Sequence, residues 1–140
     1  MNKEVVLGIV EALDTAFGYP VHIDGVEQEL TPPCFLVEKV QGGQKKELGS
    51  RYKNSNYFDI KYLTETEKPM LEILGVEEKL YDCMEYIEID GSPTKGTDLK
   101  GRVIDGVLHF FVNYNFHVFK KTQQEEPMQK ITIKTELGGE

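Results

Sequence analysis

The chain has 140 residues, enough for one domain that holds a hydrophobic core without disulfide or metal staples. Seven Tyr and seven Phe argue against wholesale disorder, and a net charge of −8 repels nucleic acid and anionic lipid. That charge does not bar DNA from passing through an assembly. Cys34 and Cys83 form no CxxC unit; two reduced thiols are the first reading, one disulfide the second.

The N-terminal stretch is not expected to be a targeting segment, because Glu4, Glu11 and Asp14 interrupt any apolar run. The longest such run, residues 107–112, is far short of the ~20 residues that span a bilayer. The sequence therefore reads as a soluble protein made in a cytoplasm.

Val5, Val6, Ile9, Val10, Leu13, Ala16 and Phe17 recur at helical spacing and predict a first helix. Asn2 suits its N-cap, Glu4 its first turn, and Gly18 and Pro20 its end. A short extended piece at residues 21–23 leads to a turn at Asp24-Gly25. Pro32-Pro33 opens a strand over residues 34–40, buried on both faces at its start and exposed at Glu38 and Lys39. Residues 41–46 read as a polar, Gly-rich loop.

The next strand lies within residues 48–63. Phe58, Ile60 and Tyr62 share one face, Asp59 and Lys61 the other. A capping box, Thr64-Glu65-Thr66-Glu67, predicts a second helix starting near Thr64, with Pro69 in its first turn. Its apolar side is expected at Met70, Leu71, Leu74, Leu80, Tyr81 and Met84, with a break conceivable at Gly75.

Residues 86–89 alternate and turn at Asp90-Gly91, and residues 92–97 read as a polar loop. Residues 99–104 then pair with 107–119 through Asp105-Gly106, a strong hairpin signal because a type I′ turn needs positive φ at both central residues. Leu108, Phe110, Val112, Tyr114, Phe116 and Val118 form a core face. The opposite face carries Val107, His109, Phe111, Asn113, Asn115, His117 and Phe119. It is too apolar for plain solvent and too polar for a core, and suits a second layer or a protein interface. After residue 121 comes a linker, then alternation at residues 131–137, a short strand able to fold back or to add to a neighbour's sheet edge. Residues 1–121 are thus expected to be one α+β domain: a mostly antiparallel sheet of about five to six strands with two helices packed on one face. Residues 122–140 form a linker and short strand that could be exchanged with a neighbouring subunit.

No constellation carries chemistry. His109 and His117 stand eight residues apart on one strand, about 27 Å, too far to share a metal. Gly42-Gly43 before Lys45-Lys46 lacks phosphate-loop spacing, and no Ser sits in a nucleophile elbow. The acidic pairs Glu77-Glu78 and Glu125-Glu126 read as solvated charge. No enzyme, cofactor or metal is expected.

Three blocks carry a family resemblance: Gly25-Val26-Glu27-Gln28-Glu29-Leu30-Thr31-Pro32-Pro33-Cys34-Phe35; Leu48-Gly49-Ser50-Arg51-Tyr52 running on to Phe58-Asp59-Ile60-Lys61-Tyr62; and Asp105-Gly106-Val107-Leu108-His109-Phe110-Phe111-Val112-Asn113-Tyr114. Over roughly residues 1–120 the chain resembles the tail terminators of Gram-positive phages, prophages and phage tail-like particles. The resemblance implies a small α+β structural protein that caps the tail tube as a homo-hexameric ring, stops tube polymerisation and provides the head-joining surface. It implies as partners other copies of itself, the tube protein, and a head–tail connector or sheath protein. It implies no membrane, DNA at most passing through the lumen, and residence in the host cytoplasm before incorporation into a particle. It gives no catalytic residues. Arg51, Tyr52, Lys53 and Tyr57 are candidates for one contact region; His109, Phe111 and Phe119 for another; Ile131 and Ile133 for the exchanged strand. A connector or stopper component and a small non-tail binding module stay open as alternatives.

Overall fold

The structure is a computed structural model describing residues 2–120; the expected strand at 131–137, with Ile131 and Ile133, lies outside them. Two helices and six main strands follow in the order α1 (Asn2–Phe17), β1 (Val21–His22), β2 (Cys34–Lys46), β3 (Arg51–Leu63), α2 (Met70–Met84), β4 (Tyr86–Ile89), β5 (Ser92–Ile104) and β6 (Val107–Phe119). They form one sheet in the order β1-β2-β3-β6-β5-β4. β1 runs parallel to β2, while β4–β5 and β5–β6 are antiparallel. Asn56 meets Tyr114 and Asp59 meets His109, so β3 and β6 also run in opposite directions. The α+β class with a mostly antiparallel sheet is therefore as the alternation and hairpin signals require.

The described residues divide into two units, 2–43 with 54–116 and 44–53 with 117–120. The larger holds the core. Val5, Ile9 and Leu13 of α1 and Ile73, Val76, Leu80 and Met84 of α2 pack on Phe35, Val37, Phe58, Ile60, Tyr62, Leu108, Phe110, Val112 and Tyr114. Burying one such side chain contributes about 1.5–3 kcal/mol. α1 ends where glycine is required: Gly18 takes φ +75° and donates its N–H to Asp14. Gly8 lets α1 approach β4, since a Cβ there would sit 2.5 Å from the Glu88 carbonyl oxygen.

Four expectations need correction. Residues 41–46 are strand, not loop; the turn comes later, at Gly49 (φ +62°), where the Glu47 N–H donates to the Arg51 carbonyl. Hairpin pairing overrides the polar, Gly-rich composition. Residues 92–97 are likewise strand, because the Asp90-Gly91 turn (φ +55° and +81°) pairs Ile89 directly with Ser92.

α2 starts at Met70, not Thr64. Proline disfavours helical backbone in the residue before it, so Lys68 stays outside. Thr64 instead accepts the Thr66 N–H and, with Thr66 and Tyr62, donates its hydroxyl to the Glu72 carboxylate at 2.5–2.6 Å. The buried side of α2 also differs: Met70, Leu71 and Leu74 are exposed, and Ile73 and Val76 are inside. Helix packing against the sheet sets that rotation, and apolar residues lie on both sides of the helix. The helix passes Gly75 without a break.

Candidate functional site

The alternation that sends Phe58, Ile60 and Tyr62 inward turns Tyr57, Asp59 and Lys61 to the opposite face of the sheet. The same period in β6 places His109, Phe111, Asn113 and Asn115 beside them, and register brings Lys100 opposite Phe111 and Arg102 opposite His109 from β5. This outer face is fixed by internal hydrogen bonds. His109 Nδ1 lies 2.8 Å from the Asp59 carboxylate. Burial pushes the Asp59 carboxyl above its ordinary range, against the opposing pull of the His109 hydrogen bond and charge and of Lys61. The second Asp59 oxygen, Oδ1, is buried with no hydrogen-bond partner among the described residues. Lys61 reaches Glu38 at 2.7 Å.

Asn113 is nearly fully buried on this face. Its oxygen accepts the Asn56 N–H at 2.9 Å, and its amide donates to Thr97 and Asn115. Tyr57 donates to Asp98 at 3.1 Å, a bond that leads burial in raising the phenol's pKa. Asp98 adopts φ +54° where the β5–β6 register shifts between Thr97 and Lys100, a bulge that re-aims the strand. Beside it lies a cleft of about 600 Å³ lined by Val40, Tyr57, Asp98, Lys100, Arg102 and Phe111, among others. The face thus combines apolar surface with polar groups paired inside the chain, apart from the buried Asp59 Oδ1.

The smaller unit has a separate cluster. Arg51 Nε lies 3.0 Å from Glu47 and 3.3 Å from His117, and His117 lies 3.1 Å from the same carboxylate. The Lys120 ammonium sits 4.6 Å above the Tyr52 ring and donates to Gln44. Phe119 is strongly exposed. Of the candidate contact residues, the structure thus places Tyr57, His109 and Phe111 on the outer face of the larger unit, and Arg51, Tyr52, Lys53 and Phe119 in the smaller. Sequence reasoning missed Val40, Asp98 and the Asp59 partnership. The signal for Asp59 was its outward place on a core strand, but its partner depends on a register that only the folded sheet defines.

Among the described residues no group of three or more His, Cys, Asp or Glu could hold a metal ion. Burial raises the Cys34 thiol and pushes Cys83 up to about 11, so both favour the thiol form at neutral pH. No described helix is long and apolar enough to cross a membrane.

Comparison with known proteins adds what geometry alone does not. No curated protein matches the chain. One solved structure aligns over 87% of this chain and 97% of its own at 9% identity, but its TM-score of 0.41 bears on neither fold nor function. The model of the family described as phage tail terminator protein matches residues 4–126. That span takes in α2, every described strand and all of α1 but its first two residues, and the chain belongs to this family of structural tail proteins.

Proposed function

We propose that the protein closes the tail tube as a homo-hexameric ring, stops further tube polymerisation and presents the surface to which the head connector joins. The observation that carries this reading is the family match over residues 4–126. The outer face supports it: Tyr57 is tied to Asp98 and His109 to Asp59, and Val40, Tyr57 and Phe111 border an open cleft suited to contact with a protein. The partners are other copies of this chain, the tube protein, and a connector, with the sheath protein as well if the tail is contractile. Assembly takes place in the host cytoplasm and the product stays in the particle. A net charge of −8 suits a ring through which DNA slides without binding.

The mechanism is geometric. A closed ring of identical subunits matches the tube's symmetry and offers no second tube-like surface, so the next tube ring has nothing to bind. Adding the purified protein to polymerising tube protein is expected to shorten the tubes in proportion to its concentration, with a single extra layer visible at one end by electron microscopy. Tubes of unchanged length, with the protein bound only to isolated connector, would favour a connector component instead.

A further inference from the structure

We propose that β2 is an acceptor edge for residues 131–137 of a second copy of this chain. The inference rests on the ring reading and adds the contact that would link neighbours. β1 pairs with β2 only at Phe35 and Leu36. Beyond them, from Val37 to Gly43, no described strand covers that side of β2, and residues 38–46 are all exposed. A long open edge presents a row of backbone donors and acceptors, which is a template for another strand.

The occupant follows from the chain beyond Lys120. Residues 131–137 alternate in sequence; as a strand they would set Ile131, Ile133, Thr135 and Leu137 on one face and Thr132, Lys134 and Glu136 on the other. Seven residues match the seven of Val37–Gly43 in length. Laid along β2, their apolar side would cover Val40, which is 58% exposed and borders the cleft with Tyr57 and Phe111. Charge does not oppose the pairing: residues 37–43 hold Glu38 and Lys39, and residues 131–137 hold Lys134 and Glu136, so each stretch is net neutral. Ten linker residues, 121–130, reach at most about 33 Å. Each copy then gives one strand and receives one, a head-to-tail contact of the kind that closes into rings.

The test uses the full chain carrying Cys83→Ser, with Cys34 left in place because it is fully buried. One copy carries Val40→Cys and a second, mass-tagged copy carries Ile133→Cys; the two are produced together in cells assembling tails and then oxidised. A reducible disulfide joining the two copies is expected. Val103→Cys, at an exposed position on β5, is the control and should give background only. A yield no higher than that control overturns the proposal. So does a disulfide formed solely within one chain when a single copy carries both cysteines, which would mean that the strand folds onto its own sheet. A chain ending at residue 121 is expected to lose ring formation. If it still forms rings while tails lacking the whole protein lose length control, strand exchange fails and capping stands; tails unaffected by loss of the protein overturn capping itself.

Discussion

His109 Nδ1 lies 2.8 Å from the Asp59 carboxylate on the outer face of the sheet, and burial raises the acid's pKa above its ordinary range despite that partner. The folded protein therefore holds the Asp59 proton more tightly than the unfolded chain. The stability this group contributes is present at the acid side and is lost as pH rises through the raised value. Asp59→Asn is expected to flatten that limb of a denaturation midpoint measured against pH. An unchanged limb would show that the carboxyl is not the titrating group.

Glu72 has the opposite sign. Hydroxyl hydrogen bonds, first from Thr64, then Thr66 and Tyr62, hold its carboxyl below the ordinary range. Its contribution is present above the ordinary carboxylate value and is lost as pH falls through the lowered one. Glu72→Ala removes the acceptor of the buried Tyr62 hydroxyl and is expected to cost about 1–3 kcal/mol near neutral pH. Chemical denaturation across the acid range checks both statements, and the variant should lose the acid-side decline.

The rotation of α2 is testable by contrast. Leu71 is 83% exposed and Ile73 is buried. Leu71→Glu should move folding stability by no more than about 0.5 kcal/mol. Ile73→Ala should cost about 2–5 kcal/mol by leaving a cavity. Equal effects in thermal or urea unfolding would contradict the packing described.

Close approach at Gly96 gives a fourth stability test. A Cβ there would lie 2.5 Å from the Met84 carbonyl oxygen and 2.9 Å from Val112, while the Gly96 N–H donates to the Glu85 carbonyl at 2.6 Å. Gly96→Ala is expected to lose about 1–3 kcal/mol through forced backbone shifts. Gly91 has no such neighbours, and the comparison of the two separates crowding from turn strain.

Much of this architecture is legible in the sequence because its signals are local. The 3.6 period through Val5, Ile9 and Leu13 defines α1, and Asp90-Gly91 and Asp105-Gly106 both adopt the positive φ that a tight hairpin needs. What escapes depends on distant partners. The β2 stretch from Gln41 to Lys46 has loop composition and becomes strand only because β3 pairs with it. Apolar residues occupy both sides of α2, so its inward face is set by the sheet and not by its own period. On the outer face, the mixed character of β6 was readable from His109, Phe111 and Asn113. Asp59's role was not, since residues 59 and 109 meet only through the β3–β6 register. Nor was the bulge at Asp98, where a single residue takes positive φ.

The central claim is tested most directly by the length distribution of tails from particles assembled without this protein, measured by electron microscopy. Tube lengths spread well beyond the normal value, with tails failing to join heads and both defects repaired by supplying the full chain, are the expected result. Tails of normal, uniform length, joined to heads in its absence, would contradict the account.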